Sequence, residues 1–148
     1  MRFDTGDWVV VADEDKALVL KNTGTAAQPV LTLGLRMDTA DLLTETQRAA
    51  REAAHVGHFT TQPVDQHRLG GVILARAVVD HLERQRLAGA ITRLIWVAPP
   101  QVLGALRDEA GKALQALVVA EFAKTFTGHS LPDMAKLLGE HMADLAGG

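Results

Sequence analysis

The stretch Leu94-Ile95-Trp96-Val97-Ala98-Pro99-Pro100 decides the fold. Its five uninterrupted apolar residues mark a strand buried on both faces, as strands in the middle of an α/β sheet are. Two prolines then stop the strand, because a prolyl nitrogen has no hydrogen to donate to a ladder. Helix-forming sequence follows over about Gln101 to Ala110. A buried strand feeding directly into a helix is the unit from which parallel sheets with helical crossovers are built.

Working outward toward the N-terminus, Asp65 is placed to cap a long helix that runs to about Leu87. Leu69, Val72, Ile73, Val79 and Leu82 give this helix an apolar stripe, and Gly89 suits its C-terminal cap. Residues 37–64 are less defined. Leu42 to Ala54 has helix-forming composition, with Leu42, Leu43, Ala49, Ala50 and Ala53 loosely on one face, and His55 to Pro63 reads as loop. Before them, Trp8 to Asp13 is a β-branched run ending in an acidic turn, Asp13-Glu14-Asp15. Ala17 to Leu20 then pairs back as a hairpin. Turn chemistry at Asn22-Thr23-Gly24-Thr25 leads to a third strand carrying Val30, Leu31, Leu33 and Leu35.

Toward the C-terminus, Leu114 to Glu121 reads as the last strand, although its composition allows helix too. Ser130 caps a final helix from Leu131, with Asp133 in the first turn, where a carboxylate faces open amides. The expected architecture is a single mixed α/β sheet of about five strands, covered by three or more helices, in one domain over residues 1–148.

Composition sets outer limits on function. The chain has 148 residues, 47% hydrophobic and 22% charged, which is ordinary globular composition. It has no cysteine, so disulfides, thiolate zinc sites and a cysteine nucleophile are excluded. Met1 to Asp7 carries acidic residues and no apolar core, so no secretory signal is expected. The apolar run Leu94 to Ala98 is far too short to cross a bilayer. The expected location is cytoplasmic, without membrane insertion. Net charge is −3, against binding nucleic acid through a general basic surface. The charge is uneven: residues 1–44 hold 4 Lys/Arg against 7 Asp/Glu, and residues 45–93 hold 7 against 5 with four of the six histidines. The middle of the chain is therefore where a locally basic face would form, although a solvated helix surface is the plainer reading and the preferred one.

Three stretches in order resemble the bacterial host-attachment protein family, relatives of the core domain of archaeal and eukaryotic peptide-release factors. They are Trp8 to Asp13 with Ala17, Leu94 to Arg107, and Glu121-Phe122-Ala123-Lys124-Thr125-Phe126-Thr127 with the helix from Leu131. The resemblance implies an RNase H-like, release-factor-core-like α/β fold and a role in attachment or near the ribosome. Release factors present a Gly-Gly-Gln loop, and this sequence contains no Gly-Gly-Gln. Gly70-Gly71 is followed by Val72 and falls inside a predicted helix, which argues against peptide release by that route.

Several residues invite a chemical role. A metal nuclease on this fold would need carboxylates clustered on strands. Asp13 sits at a strand end and Glu121 near another, but a turn role for Asp13 is simpler. His55, His58 and His67 with Asp65 form a candidate metal set, since neutral imidazoles suit zinc or nickel. His-x-x-His alone is a weak pattern. Ser130 is the chain's one serine and already serves as a cap. Two helical glycines, Gly70 and Gly71, cost about 2 kcal/mol relative to alanine, so close packing or a partner must offset them. Pro99 and Pro100 lie at the strand-to-helix corner where α/β sheets bind ligands, with Gly104 and Arg107 just beyond.

The sequence therefore points to a binding module without cofactor, contacting a protein or ribonucleoprotein partner through Asp13, Gly70, Gly71, Pro99, Pro100 and Arg107. A small metal-dependent hydrolase or nuclease, and a homo-oligomeric regulatory partner protein, are the alternatives.

Overall fold

The computed structural model describes residues 1–44, 47 and 63–147, with the side chains of 63–68 and 146–147 outside that description. Five strands form one sheet: β1 (Trp8–Ala12), β2 (Lys16–Asn22), β3 (Leu31–Asp38), β4 (Leu94–Val97) and β5 (Val118–Phe122). Among the described residues there are five helices: α1 (Thr39–Leu42), α2 (Pro63–Leu87), α3 (Pro100–Glu109), α4 (Lys112–Gln115) and α5 (Leu131–Gly147). The sheet order is β3-β2-β1-β4-β5. β1, β2 and β3 pair antiparallel, while β1, β4 and β5 run parallel, so the sheet is mixed as expected. The order of the main elements is the one read from the sequence, with two four-residue helices added.

Burial follows from the alternation of strand side chains. Val10, Ala12, Ala17, Val19, Leu94, Trp96 and Ala98 face one way and pack with Leu74, Val78, Leu82, Leu103, Leu106 and Leu114 of α2, α3 and α4. Val9, Val11, Leu18, Leu20, Ile95 and Val97 face the other way and pack with Phe3, Phe126, Met134, Leu138 and Met142, the last three from α5. Every residue of β4 is buried, as its apolar run requires. The outer strand β3 changes face midway: Leu33 lies opposite Leu20, Leu35 opposite Val19, and the register slips between them. Gly34 is the extra residue of this bulge.

Two helix ends match their sequence signals. Gly89 adopts φ +78, and the amides of Gly89 and Ala90 bond the carbonyls of Arg86 and Gln85, a Schellman cap. Ser130 Oγ accepts from the Asp133 amide at 3.2 Å, closing the start of α5.

Four expectations shift. Helix α2 begins at Pro63, two residues before the proposed cap Asp65, with proline in a first turn that needs no amide. Its buried stripe is rotated: Gly71, Leu74, Ala75, Val78, Val79 and Leu82 are buried, whereas Val72 and Ile73 are half-buried and Leu69 is exposed. Leu114 belongs to α4, and β5 starts only at Val118. Val30 precedes β3 and is exposed. The stretch Leu42 to Ala54 and the loop His55 to Pro63 fall mostly outside the described residues.

Candidate functional site

The three parallel strands deliver their carboxyl ends to one pole of the sheet. β1 ends there at Ala12, β4 at Val97 and β5 at Phe122. Asp13 follows β1 and holds the hairpin turn closed. Its Oδ1 accepts the amides of Asp15 at 2.7 Å and Lys16 at 2.9 Å, and its Oδ2 accepts Thr127 Oγ1 at 2.6 Å. The carboxylate is thus saturated by a turn and by the segment after β5. Its place is that of a turn residue tying two ends of the sheet together.

The same turn supports α1 and α2. Thr39 Oγ1 donates to the Glu14 carbonyl at 2.6 Å, and the Thr39 amide to the Asp15 carbonyl at 2.8 Å. Gly70 lies against this junction: a Cβ on it would stand 3.3 Å from the Thr39 methyl carbon. Gly70 is therefore small because two segments cross beside it. Gly71 instead faces α3, where a Cβ would meet Val102 Cγ2 at 3.9 Å, an ordinary contact. Its neighbour is a helix, not the sheet.

Between α2 and α3 this arrangement leaves a groove of about 320 Å³. Gly71 and Val72 form one wall, and Pro100, Gln101, Gly104 and Ala105 the other. Glu14 and Asp108 stand at its rim. Gly104 does not serve close packing, since a Cβ there would meet nothing within 4 Å. Pro99 occupies the N-cap of α3 and makes no side-chain cap bond, and Pro100 adds no amide. A helix start that lacks two of its donors and has Glu14 and Asp108 beside it is a poor seat for an anion.

Arg107 stands outside the groove and pairs with Glu121 of β5, Nε to Oε2 at 2.7 Å. The hydrogen bond and charge of Glu121 raise the guanidinium pKa further. Of the six residues singled out in the sequence, Gly71 and Pro100 line the groove. Asp13, Gly70 and Pro99 build the structure behind it, and Arg107 turns to a different partner. The sequence reading missed Glu14, Gln101 and Asp108; the acidic turn was the signal for Glu14, while nothing local marked the other two. His55 and His58 lie outside the described residues, as does the side chain of His67. Among the described residues no group of three or more His, Asp or Glu is placed to hold a metal ion. No helix is long and apolar enough to cross a membrane, again among the described residues.

Three of the described cations of the middle segment are taken up in ion pairs. Arg76 pairs with Glu109 at 3.3 Å, Arg86 with Glu83 at 2.8 Å and Arg93 with Asp7 at 2.8 Å. The last pair anchors the opposite pole. There Asp7, 1% exposed, also accepts the Asp4 amide at 2.8 Å. Next to it the buried Asn22 donates to the carbonyls of Phe3 and Asp4 and accepts the amides of Gly24 and Val30.

The fold and the groove define an α/β sandwich with a carboxylate-rimmed cleft at the carboxyl ends of its parallel strands. The chain belongs to the bacterial archaeo-eukaryotic release factor family 12, whose family model matches residues 7–138. It is also similar to a crystal structure of the archaeal translation termination factor aRF1, at 8% identity and a TM-score of 0.45. That comparison covers 95% of this chain and 39% of the other, so the chain spans well under half of that protein's length. No match was found among curated proteins.

Proposed function

We propose that this chain is a non-enzymatic binding module of the translation apparatus, and that the groove between α2 and α3 is its contact surface. The observation that supports the setting is the family match over residues 7–138. The groove chemistry supports the kind of contact. Gly71, Gly104 and Ala105 leave room for a backbone to approach, and Glu14 and Asp108 favour a basic or neutral occupant. Phosphates would meet carboxylates at the rim, so the reading is a protein segment rather than RNA backbone. Chemistry at Asp13 is disfavoured because both of its oxygens are engaged. Attachment to host cells, the role carried by the family resemblance, has no support of its own among the described residues.

Sedimentation of the purified protein with ribosomes at low and moderate salt tests this. Co-sedimentation that survives moderate salt is expected, because a contact built on packing is screened less than one built on exposed charges. Absence of binding at both salts would remove translation from the reading.

A further inference from the structure

A second cleft lies on the other half of the same sheet face, far along α2 from the groove. It forms where the sheet extends beyond the cover of α2, between His81 and Gln85 of that helix and the strands β1, β2 and β3. Trp8 and Val19 supply its apolar wall, and Lys21 stands at its edge. Gly34, the bulge residue of β3, contributes no side chain, which keeps the outer side open. The volume is about 270 Å³, enough for a molecule of roughly ten non-hydrogen atoms and slightly below the usual range for ligand pockets.

Two groups here lack partners. The indole Nε1 of Trp8 is buried with no hydrogen-bond acceptor. A buried donor left unmade costs about 1–3 kcal/mol, and such groups in native proteins call for an explanation. Lys21 is exposed and has no carboxylate partner among the described residues. The two residues lie directly opposite each other, Trp8 paired with Lys21 across β1 and β2, on the strand face that α2 covers. An ammonium at the edge of an aliphatic cleft, with an unmatched indole N–H buried behind its wall, is complementary to a flat apolar body carrying a carboxylate once the indole turns.

We infer that this cleft binds a small aromatic monocarboxylate, its ring against Val19 and the Trp8 indole and its carboxylate between Lys21 and the indole N–H. Binding asks the indole to tilt so that its N–H turns toward the cleft. Gln85 offers an amide donor to the second carboxylate oxygen. The groove at the other end of α2 plays no part, so the two sites are independent.

The test follows the indole N–H signals of Trp8 and Trp96 by NMR during titration with phenylacetate, the Trp8 signal being assigned with Trp8→Phe. A saturable shift of the Trp8 signal alone is expected, with the neutral phenylacetamide and the Lys21→Met variant each binding roughly tenfold more weakly, the effect of losing one charged hydrogen bond. A Trp8 signal that does not move, or moves without saturating, would overturn the inference. So would equal affinity for phenylacetate and phenylacetamide, or a Lys21→Met variant that binds as the parent does. Lys21 is exposed, so its substitution leaves the fold intact.

Discussion

The two poles of the sheet are built on opposite principles. At the amino end of β1, Asp7, Asn22 and Arg93 form a closed polar network in which both Asp7 oxygens and the whole Asn22 amide group have partners. At the carboxyl end, the polar groups nearest the strands are likewise used, but α2 and α3, which pack on each other through Leu74, Val78, Val102 and Leu106, leave a groove at their outer side. Gly104 faces open space in this groove, and Gly71 lines its other wall. One pole spends its polarity on holding the chain together; the other leaves surface free for something else. Buried polar groups tolerate no partial removal, whereas a groove of small residues tolerates being filled. That contrast separates residues kept for stability from residues available for contact.

Breaking the closed pole should give the largest effect. Arg93→Met leaves the Asp7 carboxylate buried without its cation, which costs about 3–5 kcal/mol, or a fall in Tm on the order of 10 °C. Thermal unfolding followed by circular dichroism reads it directly. A change below about 1 kcal/mol would mean that this network is ornamental and the comparison fails. Next comes Gly70→Leu, which drives a side chain into Thr39 and should cost about 1–3 kcal/mol by overpacking. The matching change on the open side has the opposite sign. Gly104→Ala meets no neighbour and gains helix propensity, so urea unfolding should show about 0.5–1 kcal/mol of added stability. If Gly70 and Gly104 respond alike, the groove is less open than its geometry indicates.

The smallest effect is a pH dependence. Partial burial and the nearby Arg84 charge hold the His81 pKa below its ordinary value. The unfolded chain then binds more protons than the folded one below about pH 6.5. Stability contributed by neutral His81 is present above that pH and is lost as the pH falls below it, and His81→Gln should flatten that slope. Tm values of both proteins at pH 7.5 and 5.5 provide the comparison, and parallel slopes would assign the pH dependence elsewhere.

These poles were unequally visible in the sequence. The strand Leu94–Val97, the proline corner, the Gly89 cap and the Ser130 cap depend on neighbours within a few residues, and local chemistry identifies them. The face of α2 was misread for a physical reason. Its buried face runs through Gly71, Leu74, Ala75, Val78 and Leu82, and a stripe drawn through large side chains alone passes over the small residues on that face. Leu114 was read as strand because a short apolar run has no period that distinguishes strand from helix. The Asp7–Arg93 pair joins residues 86 positions apart, and no local pattern announces it. The strand-to-helix corner at Pro99 and Pro100 was legible as a place, but not that Asp13, Gly70 and Gly71 gather beside it. The groove itself was not, because its walls come from two helices whose facing residues only the packing selects.

The most direct test of the contact surface is to fill the groove without touching the core. Gly104→Leu projects a side chain into the space between α2 and α3, where nothing stands within 4 Å of the new Cβ. Ribosome sedimentation at moderate salt, run beside thermal unfolding, should show the parent protein in the pellet. The variant should unfold at the same or a higher temperature and remain in the supernatant. A variant that sediments as fully as the parent would contradict the groove as the contact surface.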